Sequence, residues 1–360
     1  MFRLSLFATL CSSLPNTIAS PLAQTIQEDA KLLASDGAAQ DQYGKSVSIH
    51  GTRAVIGAWR ENHAGLTDAG AAYLYEQLST GAWQQDVKLV ASDAFQADEY
   101  GYAVATWGDR VLVGAPGDND LGDCSGSVYI YERDSNGNWN ETAKLHASDG
   151  TTADFFGEAV ALFDDRALIG APRADHSGSL GEGSVYVFER DAGGSWIEVA
   201  MLVASDRDPF DWFGISVSLQ GDRALVGADG TDDWGAESGS TYVYERGAGG
   251  SWTEVAKLVA SDASALDEFG GSVSIHGNRG LVGARLAAGQ SSDSGAAYVF
   301  ERDASGAWLE VAKLSAGDGA SGADFGTAVA LFGSRALIGA RWDSQLATNA
   351  GAGYVFQREN

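Results

Sequence analysis

The stretch FGEAVALFDDRALIGAP, residues 156–172, recurs in outline along the whole chain. Its opening aromatic-glycine pair has five counterparts, each 56 or 57 residues from the next, at Tyr43-Gly44, Tyr100-Gly101, Phe213-Gly214, Phe269-Gly270 and Phe325-Gly326. Each pair is followed at one fixed distance by the glycine of a Gly-Ala pair, at Gly57, Gly114, Gly170, Gly227, Gly283 and Gly339. A period this regular indicates a repeat architecture. The chain is therefore interpreted as six copies of one structural unit.

Each unit contains four short runs in which apolar residues alternate with polar or small ones, which is typical of antiparallel strands. In the fourth unit the runs are residues 216–219, 224–228, 241–245 and 252–260. Ser216 and Ser218 occupy the small positions of the first run, and other units have Ser or Ala there. Small side chains suit strands that converge on an axis. The first strand is therefore predicted to be innermost, and the period-locked aromatics are predicted to fill the space between units.

The sequence resembles the FG-GAP repeat proteins, whose best-known members are the propeller heads of integrin α chains. The literal signature is complete in the third unit, at Phe156-Gly157 and Gly170-Ala171-Pro172. With the recurring terms GSVYVFER and SWxEVAKLVASD, the resemblance covers residues 26–358. It implies a β-propeller used for binding, in a secreted member of bacterial type, and it names no ligand. Integrin heads carry seven blades, whereas this chain supplies six.

The resulting fold prediction is all-β: a six-bladed β-propeller of four-stranded antiparallel blades, closed by the N-terminal strand. The last unit ends after its third run, whereas residues 26–36 form a fourth run with no preceding unit. Ile26 stands where Trp83, Trp139, Trp196, Trp252 and Trp308 stand in the other fourth runs. Pairing the two would complete the last blade and remove an exposed sheet edge. We expect one domain over residues 21–360.

Residues 1–20 are predicted to be a secretory signal peptide, because Arg3 precedes a short apolar run and Ala19 supplies a cleavage site. The protein is accordingly expected to be secreted, periplasmic or on the cell surface, with no membrane span. Beyond that segment Cys124 is the only cysteine, so packing rather than a disulfide must stabilise the monomer that we expect. A formal net charge of -26 argues against nucleic acid as a partner.

Function is predicted to lie on the rim formed by the fourth-to-first and second-to-third loops. Only the second-to-third loops vary in length, and their sequences diverge most. The fourth unit carries aromatics that break the repeat, namely Phe210 and Trp212 in one loop and Trp234 beside Asp232 and Asp233 in another. Together with Asp211 they are predicted to form an exposed patch suited to a sugar or a cationic protein segment. Alternatively, the two tryptophans pack on each other. Trp59 and Trp342 belong to the same class of loop and complete the predicted binding residues.

Calcium is the one cofactor that the sequence suggests. The integrin-type calcium loop between the first and second strands is absent, since a tight turn such as Gly221-Asp222 stands there. Asp118, Asp120 and Asp123 offer several oxygen ligands within one loop, although without the EF-hand spacing. The alternative is a solvated acidic loop. The acids that end each fourth run, Asp36, Asp93, Asp149, Asp206, Asp262 and Asp318, are interpreted as structural, and their ring is expected to make the rim electronegative.

Binding is predicted rather than catalysis. The sequence contains no nucleophile elbow, no HExxH motif and no glycine-rich phosphate loop. His50 and His276 occupy the same turn position in different units, which favours a structural role. We therefore expect a non-enzymatic adhesion module that recognises an extracellular protein or polysaccharide. The alternatives are a carbohydrate-active enzyme with acidic loop residues and a purely structural repeat module.

Overall fold

The computed structural model describes residues 30–175, 179–345 and 347–358. It divides the chain into two units, Met1–Leu32 and Leu33–Asn360, and all the described strands lie in the second. The predicted signal peptide, residues 1–20, lies outside the described residues. No helix that could cross a bilayer occurs in the part of the chain that the structure describes.

The second unit is all-β and forms the six blades of a propeller, numbered here in chain order. The strands of the first three blades are β1 (Val47–His50), β2 (Arg53–Ala58), β3 (Ala71–Gln77) and β4 (Trp83–Leu89); β5 (Val104–Trp107), β6 (Arg110–Ala115), β7 (Ser127–Arg133) and β8 (Trp139–Leu145); and β9 (Ala159–Phe163), β10 (Arg166–Ala171), β11 (Ser184–Arg190) and β12 (Trp196–Leu202). Those of the last three are β13 (Ser216–Gln220), β14 (Arg223–Ala228), β15 (Ser240–Arg246) and β16 (Trp252–Leu258); β17 (Phe269–His276), β18 (Arg279–Ala284), β19 (Ala296–Arg302) and β20 (Trp308–Leu314); and β21 (Phe325–Phe332), β22 (Arg335–Ala340) and β23 (Ala352–Gln357).

Within a blade the strands run antiparallel in sequence order, as the alternating pattern predicts. In the fourth blade Gln220 pairs with Arg223 across a tight turn in which Gly221 has φ +59°, a value that glycine adopts without a steric penalty. The outer pair β15 and β16 contains a bulge between Val243 and Tyr244. The other four-stranded blades carry a bulge at the same place, which increases the local twist.

In the first five units, the glycine of the Gly-Ala pair lies where consecutive blades approach most closely. A Cβ atom added to Gly170 would lie 2.1 Å from the carbonyl oxygen of Gly214, the glycine of the next aromatic-glycine pair. The corresponding distance is 1.9 Å between Gly227 and Gly270. Any side chain at these positions would push the blades apart. The glycine of the Gly-Ala pair is therefore required by blade-to-blade packing in these units. The glycine of the aromatic-glycine pair also has a positive φ, +95° at Gly214, which favours glycine at that position.

The aromatic of each aromatic-glycine pair packs edge-on against the first tyrosine of the third strand in its own blade. The ring centroids are 5.4 Å apart for Phe213 and Tyr242, and 5.3 Å apart for Phe325 and Tyr354. Offset and edge-to-face contacts of this kind add specificity to the burial of apolar area. The fourth-strand tryptophans are buried or half-buried, and the Arg166 guanidinium of blade 3 stacks over Trp252 of blade 4. The predicted role of the period-locked aromatics is thus confirmed.

Blades 6 and 1 each present apolar side chains whose counterparts in the other blades are buried or half-buried. Leu337 is 51 % exposed, whereas Leu281, its counterpart in blade 5, is fully buried. On the other side, Val47 and Ile49 of β1 are exposed as well. A Cβ atom on Gly339 would meet only atoms of its own blade, the nearest at 3.7 Å. The close glycine contact made between all other consecutive blades is therefore not made between blades 6 and 1.

The six-bladed propeller is confirmed, but the strand predicted to close it is not seen in the described residues. Residues 26–29 of that predicted strand lie outside them, and residues 30–36 contain no strand. The sixth sheet has three strands in the described part of the chain, with β23 paired to β22 alone. Closure by residues 26–36 therefore stays a prediction.

Candidate binding rim

The two classes of loop that were predicted to share a rim are joined directly. A parallel bridge links Gly183, at the end of the second-to-third loop of blade 3, to Phe213 at the start of blade 4. Equivalent bridges occur between the other consecutive blades, from Gly70 to Tyr100, Gly126 to Phe156, Gly239 to Phe269 and Gly295 to Phe325. We call the surface made by these two loop classes the loop rim. Each position on it combines the variable loop of one blade with the fourth-to-first loop of the next.

Phe210 and Trp212 lie side by side on the loop rim. Their backbone amides donate to the carbonyls of Leu180 and Gly181 at 2.9 and 3.1 Å. A methyl group on Gly181 would lie 3.5 Å from both aromatic rings. Phe210 is 54 % exposed, Leu180 is exposed, and Trp212 is half-buried. These three side chains form an apolar cluster over the loop of blade 3.

Trp234 lies one blade further along the rim. It is 63 % exposed, and its backbone amide donates to Ser238 Oγ at 3.2 Å, which shapes its loop. The loop contacts the next fourth-to-first connection, where Leu266 donates to the carbonyl of Ala236 at 2.7 Å. No contact between the rings of Trp212 and Trp234 occurs in the described residues. The alternative in which the two tryptophans cover each other is therefore not what the structure shows.

The acids predicted to flank this patch have separate roles. Asp233 Oδ2 accepts from Ser240 Oγ at 3.0 Å and forms an ion pair with Lys257. Asp232 is exposed, and its Oδ1 accepts from the amide of Glu237 at 2.8 Å. Asp211 is buried, accepts from the amide of Asp208 at 2.7 Å, and has a pKa that burial raises to about 6. Only Asp232 of these acids leaves its carboxylate open to a cationic partner, so the predicted acidic flank of the patch is much weaker than expected.

Trp59 and Trp342 occupy other parts of the rim. Trp59 is half-buried, donates from Nε1 to Gln42 at 3.0 Å, and packs edge-on against Tyr102 with the centroids 5.6 Å apart. Trp342 is exposed, with the Arg341 guanidinium 5.1 Å from its ring centroid. The structure therefore places the predicted binding residues at several separate positions on the rim. It groups Phe210 with Trp212 and leaves Trp234 exposed.

Two of the three predicted calcium ligands, Asp118 and Asp120, are engaged by protein side chains. Lys144 Nζ lies 2.9 Å from Asp118 and 2.5 Å from Asp120, and His146 lies 2.9 Å from Asp120. Asp123 is exposed, and the described residues include no ion pair of its carboxylate. No group of three or more metal-ligating side chains is found among the described residues. An ammonium group therefore stands where the sequence suggested a metal ion, and the geometry does not support a calcium site in this loop.

Lys144 belongs to a network that explains the repeated acids. In all six blades the third-strand tyrosine donates to the acid that ends the preceding fourth run, for example Tyr242 to Asp206 at 2.8 Å. In four blades a fourth-strand lysine also pairs with that acid, at 2.7 or 2.8 Å. The structural role predicted for these acids is confirmed. Lysines reduce the negative charge expected of this ring without cancelling it, because Lys144 also pairs with Asp118 and Asp120, and Lys257 also pairs with Asp233.

A cluster that the sequence did not suggest lies in the axial cavity, a space of about 800 Å³ lined by first-strand residues of all six blades. Its polar lining includes Lys45, Tyr102, Glu158 and Arg285. Three of these side chains directly follow an aromatic-glycine pair, at a position that reads Lys, Tyr, Glu, Ile, Gly and Thr in the six units. Such divergence beside an invariant pair is the one sequence signal that could have drawn attention to the cavity.

The repeated blades and the central axis define a β-propeller whose loops are free to vary. The chain belongs to the FG-GAP repeat family, whose profile matches residues 26–75, 83–131, 139–188, 196–244, 252–300 and 308–356. Each matched unit after the first begins at the fourth-strand tryptophan of one blade and ends in the third strand of the next. No curated protein sequence is significantly similar to the chain.

Two solved structures share the fold at low sequence identity. A periplasmic gluconolactonase from Pseudomonas aeruginosa superposes with a TM-score of 0.57 at 15 % identity, with 88 % of this chain and 81 % of that chain covered. A Lactobacillus plantarum protein from a structural genomics programme gives a TM-score of 0.52 at 12 % identity, with the same coverage. At this distance the likeness concerns the fold alone.

Proposed function

We propose that the protein is an exported, non-enzymatic binding module that recognises an extracellular protein or polysaccharide through the loop rim. The observation that carries this proposal is the exposure of Trp234. The period-locked fourth-strand tryptophans are buried or half-buried between blades, whereas Trp234 is 63 % exposed and breaks the repeat. A large exposed aromatic on a rigid scaffold contributes contact area at a low entropic cost.

The surroundings of Trp234 support a contact surface rather than an isolated residue. Leu266 of the adjacent loop is exposed, and Asp232 adds a carboxylate that is accessible to solvent. The cluster of Leu180, Phe210 and Trp212 lies on the neighbouring loop pair of the same rim. Apolar side chains with a polar border are typical of surfaces that bind sugars or protein segments.

The proposal is tested by replacing Trp234 with alanine. Once a ligand has been found on glycan and surface-protein arrays, Trp234→Ala should weaken its binding by about 2 kcal/mol, or roughly thirtyfold, while the melting temperature stays unchanged. Phe95→Ala is the control, because Phe95 is an aromatic of similar exposure, 64 %, in the fourth-to-first loop between blades 1 and 2 and should not affect binding.

Two results would contradict the proposal. Undiminished binding by both Trp234→Ala and Trp212→Ala would show that the ligand binds elsewhere. Release of reducing ends from a polysaccharide panel by the wild-type protein would instead favour a carbohydrate-active enzyme. Saturable binding without turnover is the expected result.

A further inference from the structure

The apolar cluster of Leu180, Phe210 and Trp212 on the loop rim is held in an unfavourable backbone conformation. Phe210 and Trp212 have φ angles of +67° and +54°, in the left-handed region that bulky residues rarely adopt. The residues that hold the place of Phe210 in the other units also have positive φ angles, and they are Gln40, Ala97, Ala153, Leu266 and Gly322. Because Phe210 is 54 % exposed, its burial offsets little of this cost. An exposed aromatic side chain at a strained position favours a role in ligand contact.

An unused donor and an unused acceptor border the two rings. A Cβ atom on Gly181 would lie 3.5 Å from both Phe210 Cδ1 and Trp212 Nε1, so Gly181 lies against both side chains. The Trp212 indole N–H donates to no acceptor among the described residues. The Gly181 amide donates to Asp175 Oδ1 at 2.7 Å, and Oδ2 of the same carboxylate receives no hydrogen bond from the part of the chain that the structure describes. The cluster therefore combines apolar rings with free hydrogen-bonding capacity around one glycine.

The charges around the cluster disfavour an anionic ligand. Arg207, which precedes Phe210 in the same loop, pairs with the buried Glu182 at 3.1 Å. Asp175 and Asp208 are exposed, and neither forms an ion pair within the described residues. A cationic side chain would be attracted to these carboxylates, but an ammonium or guanidinium group has no acceptor for an indole N–H. A hydroxyl group both accepts and donates, so hydroxyl groups can bind the indole and a carboxylate together.

From this arrangement we propose that the cluster is a subsite for a neutral polysaccharide, with one sugar ring packed on Phe210 and its hydroxyl groups bonded to Trp212 Nε1 and Asp175. The inference rests on the binding function proposed for the loop rim, and it narrows the ligand from protein or polysaccharide to polysaccharide. The three side chains expose roughly 300 Å² together, which suits a sugar ring but is less than the about 800 Å² that each partner of a stable protein complex contributes.

Titration calorimetry tests the class of ligand. The neutral probes are cellohexaose, laminarihexaose, maltohexaose and N-acetylchitohexaose, and the anionic and cationic probes are hexagalacturonate and hexalysine. At least one neutral probe should bind with a Kd below about 1 mM. That Kd should change by less than about twofold between about 0.05 and 0.5 M NaCl, because no charged group of the ligand takes part. At the higher salt concentration it should be lower than the Kd of either charged probe.

Variants locate the subsite. Phe210→Gly copies Gly322 of the sixth unit, so it should weaken binding of the neutral probe at least about tenfold without lowering the melting temperature. Ala153→Gly is the matched control, because it makes the same change of backbone freedom at a position without an aromatic ring and should leave the Kd unchanged. Trp212→Gln copies Gln42 of the first unit and should weaken binding independently, which keeps the test decisive if one variant folds poorly.

The outcomes separate this inference from the function proposed for the loop rim. Full affinity for a neutral probe in both folded variants, together with a loss in Trp234→Ala, would overturn the subsite while the rim remained the binding surface. Tighter binding of hexalysine than of every neutral probe at about 0.5 M NaCl would overturn the class of ligand and favour a protein partner. Failure of every neutral probe to bind would also overturn the inference, and the rim function would then depend on the surface-protein array alone.

Discussion

At the scale of single residues, the third blade lacks the lysine that pairs with the repeated acid in four other blades. The contribution of this ion pair can therefore be measured by exchange of side chains. Its fourth strand carries Met201 where Lys88, Lys144, Lys257 and Lys313 stand in other blades. Asp149 still accepts from Tyr186 at 2.7 Å, but it has no lysine partner among the described residues. Met201 is exposed, so its side chain gains little from burial in exchange. The chain therefore contains the repeated acid both with a lysine partner and without one.

Exchange of these side chains gives a paired prediction. Met201→Lys should stabilise the fold by about 0.5 kcal/mol, and Lys257→Met should destabilise it by a similar amount, because a partly exposed ion pair contributes little more. Urea denaturation of the two variants and the wild type measures both effects. An increase in stability for Lys257→Met would contradict the role given to the lysines.

Asp211 gives a prediction for pH dependence. Burial raises its pKa to about 6, above the value of about 3.9 for an unfolded aspartate. Folding therefore favours the protonated acid, so its contribution is fully present below about pH 4 and is lost as pH rises through about 6. Asp211→Asn keeps an acceptor for the Asp208 amide but cannot ionise. Thermal denaturation from pH 4 to 8 should show a smaller decline for this variant, and parallel curves would refute the prediction.

At the scale of strands and loops, the elements could be predicted because packing demands recur in every unit. The runs predicted at 216–219 and 224–228 correspond to Ser216–Gln220 and Arg223–Ala228, since Gly221 fixes the turn between them. The last run, predicted to extend to residue 260, ends as a strand at Leu258. The chain leaves the sheet there and reaches Asp262, which accepts a hydrogen bond from Tyr298 of the next blade.

The site was less predictable because its contacts join different elements. Asp233 was expected to face solvent, but Lys257 lies on a strand of the same blade and reaches its carboxylate. Trp234 breaks the repeat, and sequence could identify it, yet its exposure follows from the conformation of one loop. Glu158 belongs to no motif, and only the arrangement of the first strands around the axis places it at one cavity with Lys45 and Tyr102.

The glycine of the Gly-Ala pair allows a test of blade packing with an internal control. Gly170→Ala would place a methyl group 2.1 Å from the Gly214 carbonyl and should destabilise the fold by about 3 kcal/mol. Gly339→Ala makes the same change in the sixth blade, where the nearest atom is 3.7 Å away, and should be tolerated. Thermal denaturation of both variants separates the cases. An equally large loss for Gly339→Ala would show that blade 1 packs on blade 6 in solution.

At the scale of the whole molecule, the first and last blades differ from the others at the positions where consecutive blades form ion pairs. Between consecutive blades, arginine pairs with glutamate of the preceding blade, as in Arg190 with Glu132 and Arg302 with Glu245. Blade 1 has Gln77 at the arginine position, and blade 6 has Gln357 at the glutamate position. Both charges are thus replaced at the two faces left exposed, and two amides can hydrogen-bond to each other without an ion pair. This favours direct packing of blade 6 on blade 1.

Truncation tests the contribution of the N-terminal segment. Tyr73 donates to Asp36 at 2.7 Å and Lys88 pairs with the same carboxylate at 2.7 Å, so residues 33–36 bind blade 1 as later segments bind later blades. Deletion through Asp36 should therefore lower the melting temperature more than deletion of residues 1–20. Scanning calorimetry of both truncations measures the difference. An unchanged melting temperature after the longer deletion would rule out a propeller closed by residues 26–36.

The boundaries of the sequence units do not coincide with those of the blades, and we expect this offset to affect how the protein unfolds. Each matched unit after the first supplies the outer strand of one sheet and the three inner strands of the next. Removing one unit would therefore damage two blades at once, and no single blade can be lost cleanly. In linear arrays of self-contained repeats, terminal units can fray while the rest stays folded. Here the covalent chain couples neighbouring sheets, so unfolding should be a concerted event with one sharp transition rather than a stepwise loss of blades.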